Sequence, residues 1–166
     1  MKKNIFIFRL VPIFCLGLAI LCSFADISTT NKKYKCMIQM TNYTGEGAYI
    51  VISLLNKEGE YQKTLYVQGE DDEWYHDIPK WWSFYGKKRT NLDAITGATI
   101  SGGGRAISVI EIEDDEIDNG YKIRFETAVE DQEYYEADVE FELTSENVKS
   151  KVEGKGFIRY IRMLPQ

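Results

Sequence analysis

Short segments in which apolar and polar side chains alternate, with a period of two residues, recur along most of this chain. They restrict the fold more than any other feature, because successive side chains of a β-strand point to opposite faces. One further segment, 48–55 (AYIVISLL), is a nearly continuous apolar run and predicts a central strand that is buried on both faces. The predicted strands cover 33–40, 48–55, 61–67, 105–112, 121–127, 135–143 and 157–163.

Seven short strands separated by turns, with no long helical pattern, predict an all-β fold, a single-domain antiparallel β-sandwich. Asn119-Gly120 predicts a tight hairpin turn between the fourth and fifth of these strands, since both residue types tolerate positive φ. The apolar side chains expected in the core are Ile50, Ile52, Leu54, Val109, Phe125, Val139 and Phe141.

The first 25 residues have the layout of a secretory signal peptide. Basic residues precede the apolar run 10–21, and Ser23-Phe24-Ala25 supplies small residues at the two cleavage positions. The sequence therefore predicts a signal peptide at 1–25, a domain at 26–166, and a periplasmic or extracellular location. The alternative is an uncleaved N-terminal anchor, although the apolar run is shorter than the roughly 20 residues that span a bilayer.

The composition of the predicted mature chain excludes several classes of function. Removing 25 residues, with three basic and no acidic side chain, leaves 141 residues and takes the formal net charge from −6 to −9. Such a chain is a poor binder of nucleic acid. Cys36 is then the one cysteine and His76 the one histidine, so neither a disulfide nor an ordinary zinc or haem site is expected.

The stretch 68–104 interrupts the alternating pattern. It contains an acidic patch at 70–73, a run of aromatic residues between Trp74 and Tyr85, and the sequence DAITGATISGGG. A connection this long in a compact domain is usually functional or disordered, and its aromatic content argues against disorder. The aromatic side chains either bury themselves at one end of the sandwich or form the walls of a binding site.

The segment 93–99 (DAITGAT) resembles the motif at which a FAD:protein FMN transferase links FMN covalently to a threonine. Carried over to this chain, the resemblance implies a phosphoester on Thr99, with Asp93, Thr96, Gly97 and Ala98 as recognition positions. The residue types suit that chemistry, because a nucleophilic hydroxyl must enter a second protein's active site on an open segment, and Gly97 permits close backbone approach.

Over about residues 34–145 the chain also resembles a family of predicted periplasmic bacterial proteins of unknown function. The matching stretches are AYIVISLLNKEGEYQKTLYVQG, IPKWW, DAITGAT and NGYKIRFETAVEDQEYYEADVEFEL. Members of this family are often encoded beside PepSY-type membrane proteins and flavin transferases. The resemblance implies an immunoglobulin-like sandwich that works in extracytoplasmic electron transfer.

Two functions from different classes follow. In the first, the protein is not an enzyme but an electron carrier with FMN on Thr99, Arg105 neutralising the phosphate, and Trp81 and Trp82 stacking near the flavin ring. A membrane redox protein of the PepSY type is then the expected partner. In the second, the protein is an interaction module without a cofactor, and DAITGAT is a structural turn in which Asp93 bonds the backbone two residues on.

Overall fold

The computed structural model describes residues 30–88 and 96–166, and the predicted signal peptide lies outside these residues. The described residues form nine strands, the helix α1 and several short 3₁₀ turns. The strands are β1 Asn31–Met40, β2 Tyr49–Leu55, β3 Tyr61–Gln68, β4 Thr96–Gly97, β5 Arg105–Glu113, β6 Lys122–Ala128, β7 Tyr135–Glu142, β8 Lys151–Glu153 and β9 Ile158–Pro165, and the helix is α1 Pro79–Lys88.

The strands make two sheets. One has four strands in the order β5-β1-β9-β8, and the other has five in the order β4-β3-β2-β6-β7. All pairs are antiparallel except β3 with the two-residue strand β4, which run parallel. The inner faces of both sheets contribute to one apolar cluster, so the predicted all-β sandwich is confirmed. The seven predicted strands are present, and β4 and β8 are additional.

The core is built by the alternating pattern. In β1 the inward side chains are Tyr34, Cys36, Ile38 and Met40, all buried, while the intervening side chains are more exposed. Burying one such apolar side chain stabilises the fold by about 1.5–3 kcal/mol. Most of the predicted core is confirmed: Ile50, Ile52, Leu54, Phe125 and Val139 are buried, and Phe141 is partly buried against them.

The prediction for Val109 was wrong. Its side chain is 45% exposed, and its strand β5 buries Ile110 and Ile112 instead. The pairing with β1 sets this phase, because Val109 lies opposite Lys35, whose side chain also points outward. Residues directly opposite each other in an antiparallel pair point to the same face of the sheet. Pairing with β1 therefore determines which side chains of β5 are buried.

The outer face of the five-stranded sheet is covered by α1 and by the 3₁₀ turn Asp72–Asp77. A second apolar cluster fills this contact, and its buried members are Val51, Val67, Tyr75, Ile78, Trp81 and Ala128. The central strand β2 therefore packs against the main core on one face and against this second cluster on the other. That double burial explains its nearly continuous apolar sequence.

The long connection predicted over 68–104 contains the helix α1. Pro79 occupies its first turn, where a missing N–H costs nothing and the fixed φ suits a helix. Ile78, Trp81 and Tyr85 are spaced three and four residues apart, so they fall on one side of the helix and face the sheet.

The turn at Asn119-Gly120 is present, but the predicted hairpin is not. Gly120 has φ +80° and Asp118 has φ +61°. The strands on either side belong to different sheets: β5 pairs with β1, and β6 pairs with β2 and β7. The turn therefore carries the chain from one sheet to the other instead of joining two neighbouring strands.

Candidate functional site

The DAITGAT motif enters the described structure at Thr96, and Asp93 lies outside the described residues. Thr96 and Gly97 form β4, opposite Val67 and Gln68 of β3. The Gly69 N–H donates to the Gly97 carbonyl oxygen. A Cβ on Gly97 would collide with the Tyr66 hydroxyl, so a larger residue there requires the end of the Tyr66 side chain to move.

The backbone is also fixed on both sides of Thr99. The Gln68 side-chain amide donates to the Ala98 carbonyl oxygen. Ile100 makes a two-way bridge with Ala48, in which the Ala48 N–H donates to the Ile100 carbonyl at 2.8 Å and the Ile100 N–H donates to the Ala48 carbonyl at 3.2 Å. Thr99 itself lies between these anchors with an exposed side chain.

The Thr99 side chain packs over Gly47. A Cβ placed on Gly47 would lie 2.6 Å from the Thr99 Cβ and closer still to its hydroxyl oxygen, nearer than real Cβ atoms approach. No hydrogen bond joins the Thr99 hydroxyl to any residue in the described ranges 30–88 and 96–166. Gly47 thus provides the space in which this hydroxyl lies, and no neighbouring side chain in that part of the chain occupies it as a donor or acceptor.

Thr99 lines a cleft of about 140 Å³. The other lining residues come from the segment before β2, from the 3₁₀ turn and from the end of β6: Glu46, Gly47, Tyr49, Trp74, Asp77, Ala128 and Glu130. A second cleft of about 330 Å³ shares Trp74, Asp77, Ala128 and Glu130 with the first and continues towards Gln132. Thr99 therefore stands at one end of a groove that has Trp74 along its length.

The groove is electrostatically negative. Glu46, Asp77 and Glu130 line the cleft beside Thr99. Burial raises the pKa of the Tyr49 phenol above its ordinary value, and the charges of Asp71, Asp77 and Glu130 raise it further. Among the described lining residues there is no lysine or arginine to balance these carboxylates. An anionic group is therefore better accommodated at the open rim of the groove than deep within it.

The structure places Trp81 away from the groove, in the second apolar cluster. Its side chain is fully buried, its indole N–H donates to the Thr64 hydroxyl at 2.8 Å, and Tyr85 stacks on it at a centroid distance of 4.9 Å. The prediction that Trp81 stacks on a flavin ring is corrected on this ground, because its faces are already covered. Trp82 is 36% exposed but does not line the groove.

Arg105 does not lie at the groove either. It begins β5 in the opposite sheet, and its Nε donates to the Gln39 side-chain oxygen at 3.0 Å. The prediction that it neutralises a phosphate on Thr99 therefore has no support in the geometry, since Arg105 is absent from both clefts. Of the residues predicted for the site, Thr96, Gly97, Ala98 and Thr99 lie together.

Two aromatic residues beside Thr99 were missed as site residues. Tyr49 is the first residue of β2, and Trp74 belongs to the 3₁₀ turn after the acidic patch. Trp74 lies in the aromatic run that drew attention to 68–104, but its spacing from Thr99 along the chain gives no indication of contact. The pair Gly45 and Gly47 just before β2 was the available signal for Tyr49, since glycines there indicate a close approach of another segment.

Comparison with known proteins adds a family. The sequence pattern of the family described as "Predicted periplasmic protein (DUF2271)" matches residues 31–160, which is most of the chain and all of β1 to β8. The chain belongs to this family. Its description gives a location and no activity, and it confirms the periplasmic location that the N-terminus predicts. No curated protein and no solved structure matches the chain.

Two absences within the described part of the chain are noted. No helix within 30–88 and 96–166 is long and apolar enough to cross a membrane. In the same ranges, no group of three or more histidine, cysteine, aspartate or glutamate side chains is placed to hold a metal ion. The chemistry that the groove itself offers is therefore one exposed hydroxyl, two aromatic walls and a negative potential.

Proposed function

We propose that this periplasmic protein carries FMN in a phosphoester linkage to Thr99 and serves as an electron carrier. The observation that carries the proposal is the position of the Thr99 side chain. It is exposed, lies at the end of an aromatic groove, and is held between two backbone anchors at Ala98 and Ile100. It is also the acceptor position of the DxxTGAT motif. We also propose that the sandwich is immunoglobulin-like.

The attachment is a transfer of the FMN half of FAD. The Thr99 hydroxyl oxygen attacks the phosphorus of FMN within FAD, a new P–O bond forms, the pyrophosphate P–O bond breaks, and AMP leaves. The hydroxyl proton passes to a base of the transferase, whose active site receives Thr99 and the FAD. A free hydroxyl suits this reaction because no protein hydrogen bond within the described ranges has to be broken first.

The residues of the groove fit a tethered flavin. Trp74 and Tyr49 line the groove, and aromatic side chains at such positions favour contact with a planar ring. The two clefts are together elongated and open, so the ring lies along the groove without being enclosed. The phosphodiester lies at the rim beside Thr99, because the carboxylates of Glu46, Asp77 and Glu130 repel it from the interior. The flavin supplies the redox chemistry, and the chain supplies its orientation and its electrostatic environment.

Two partners of this protein are proposed. A FAD:protein FMN transferase in the same compartment modifies Thr99, and a membrane redox protein of the PepSY type exchanges electrons with the flavin. An open groove favours this role, since an electron carrier must bring its cofactor close to a partner.

One observation favours the alternative of a cofactor-free interaction module. Part of DAITGAT is structural: Thr96 and Gly97 form a strand, Gly97 lies against the Tyr66 hydroxyl, and the Ala98 carbonyl accepts from the Gln68 side chain. These structural roles account for Gly97 and Ala98 without recognition by a transferase. They do not explain Thr99, whose hydroxyl makes no bond within the described ranges, so Thr99 is the residue that separates the two functions.

The experiment is co-expression and export of the full chain with a FAD:protein FMN transferase, followed by a denaturing gel read for flavin fluorescence. We expect a fluorescent band for the wild type, a band for Thr99→Ser, and none for Thr99→Ala. The matched control is Ser101→Ala, which removes a neighbouring exposed hydroxyl and should keep the band. Thr96→Ala should weaken labelling without abolishing it.

Stability measurements distinguish the two functions. The free energy of unfolding of Thr99→Ala should lie within about 0.5 kcal/mol of the wild-type value, as is usual for substitutions at exposed positions. An unlabelled wild type beside a labelled positive-control substrate would remove the electron-carrier function. A Thr99→Ala protein that no longer folds would show that Thr99 is structural and would favour the interaction module.

A further inference from the structure

The strand β5 is an edge of the four-stranded sheet, and no residue in the described ranges pairs with its outer side. The backbone groups that it leaves open can be identified. At one end, the Met40 N–H donates to the Gly104 carbonyl, and at the other the Asp114 N–H donates to the Thr30 carbonyl. Since bonding alternates along an antiparallel pair, even-numbered residues bond to β1, and odd-numbered residues from Arg105 to Glu113 present N–H and C=O groups outward.

The same odd-numbered positions carry exposed apolar side chains. Ile107 is 65% exposed and Val109 is 45% exposed, on the outer face of the sheet. The apolar surface continues inward from the edge, with Met37 beside Ile107 in the register and Leu164, 57% exposed, across Lys35 from Val109. A long edge with apolar side chains is a template for another strand, which monomeric proteins usually block with charge, proline or a bulge.

The sequence of β5 is complementary to itself when two copies run antiparallel. Arg105 lies near its start and Glu111 near its end. With Ser108 opposite Ser108 of the partner subunit, Arg105 faces the partner's Glu111, and Ile107 faces the partner's Val109. The two-fold symmetry repeats both contacts, which gives two ion pairs and two apolar pairs on one face. This register also sets outward N–H and C=O groups opposite each other.

We propose that two copies of this protein pair through β5 and make a continuous eight-stranded sheet. The partner is a second copy because the charge pattern matches itself in that register. The contacts that Glu111 and Arg105 make within one copy are weak. Glu111 meets Lys33 at 3.2 Å with both side chains more than half exposed, and Arg105 donates a hydrogen bond to the uncharged Gln39. Both charges therefore remain available to the partner.

Ser108 supplies an independent observation at the centre of this contact. Its hydroxyl is buried, yet it has no hydrogen-bond partner in the described structure. A buried polar atom without a partner is uncommon in folded proteins. In the proposed register Ser108 and the partner's Ser108 form a pair without backbone hydrogen bonds between them, which is the closer kind of antiparallel pair. When each Ser108 side chain turns from the core toward the edge, the two hydroxyls bond to each other.

The pairing is expected to be reversible. One edge of nine residues buries less surface than a standard interface of about 1,600 Å². A dissociation constant of roughly 1–100 μM is therefore expected. The surface lies on the sheet opposite to the Thr99 groove, so dimerisation is independent of flavin attachment.

Sedimentation velocity of the exported full-length protein, measured from below to well above this range, tests the proposal. The wild type should shift from monomer to dimer with increasing concentration. Arg105→Glu and Glu111→Arg should each weaken the dimer at least tenfold, since each sets like charges opposite one another twice. The matched control Arg162→Glu changes an exposed arginine on the same outer face, away from the edge, and should dimerise as the wild type does.

An equimolar mixture of the two single variants distinguishes loss of the contact between copies from misfolding of a variant. In an equimolar mixture each position 105 again meets an opposite charge at position 111, so the mixture should dimerise when neither variant alone does. Ser108→Ala should weaken the dimer severalfold without lowering the unfolding midpoint of the monomer. A wild type that stays monomeric above the expected range, or a mixture that behaves as its components do, would overturn the proposal.

Discussion

Replacing Glu126 by glutamine should remove a pH dependence from the stability of this protein. Glu126 is fully buried on β6, beneath α1. The Tyr61 hydroxyl donates to one of its oxygens at 2.5 Å, and the Tyr134 hydroxyl donates to the other. Burial raises the pKa of Glu126 to about 7, and the two tyrosines, Arg124 and the Trp81 backbone N–H oppose that shift only in part.

The sign and size of the effect follow from that pKa. Below about pH 4.5 the carboxyl is protonated in both the folded and the unfolded chain, and the wild type has the full stability contributed by this group. Between about 4.5 and 7 only the folded chain keeps the proton, so stability falls as the pH rises. The shift of Glu126 corresponds to a loss of about 3 kcal/mol, complete above pH 7.

The assay is urea unfolding of wild type and Glu126→Gln at several pH values between 4 and 8. The free energy of unfolding of the variant should gain about 3 kcal/mol on that of the wild type over this range, because glutamine carries no charge at any of these values. The control Glu58→Gln removes an exposed carboxylate from a turn and should follow the wild type. Parallel curves for Glu126→Gln and wild type would refute the reasoning.

Three further substitutions test the packing. Asp138 is buried and accepts hydrogen bonds from the Thr127 hydroxyl and from the backbone N–H groups of Lys155, Gly156 and Ile158. Asp138→Ala should therefore cost about 3–5 kcal/mol in denaturant unfolding, against little change for the exposed Asp115→Ala. Gly47→Ala should cost about 1–3 kcal/mol and slow flavin labelling, because the new Cβ displaces Thr99. Gly86→Ala in α1, whose Cβ would meet the Trp82 ring at 3.8 Å and no other described residue, should instead stabilise by about 0.5–1 kcal/mol in thermal unfolding. A loss at Gly86 or no loss at Gly47 would contradict this packing.

The strands were predictable wherever one face of a segment is clearly more apolar than the other. In β1 every second residue from Tyr34 to Met40 is buried, and the sequence shows this directly. In β5 both faces carry apolar side chains, Ile107 and Val109 on one and Ile110 and Ile112 on the other. Only the pairing with β1 decides which face is buried, and that pairing joins residues about seventy positions apart.

The helix α1 was hidden for a different reason. It is ten residues long, and its apolar side chains include the partly exposed Trp82 as well as the buried Trp81. Adjacent tryptophans obscure a 3.6-residue period over so short a span. The spacing of Ile78, Trp81 and Tyr85, with Pro79 at the start, was the usable signal.

The position of the proposed acceptor, Thr99, could be read from the sequence, and the residues that line the cleft around it could not. Thr99 follows from the spacing of a local motif, which the sequence displays in full. Tyr49 and Trp74 reach the groove because β2 and the 3₁₀ turn bring distant segments together. Trp81 is of a residue type expected beside a flavin, but the packing of α1 on the sheet buries it. Aromatic residues in one run can serve a core and a groove at once, and only the fold separates them.

The most direct test of flavin carriage is the intact mass of the protein isolated from the periplasm of its natural host. The chain should be heavier than its processed sequence by one FMN less one water. Fragmentation should place the added mass on Thr99. A chain with the unmodified mass, from a host whose FMN transferase is active on another substrate, would contradict it.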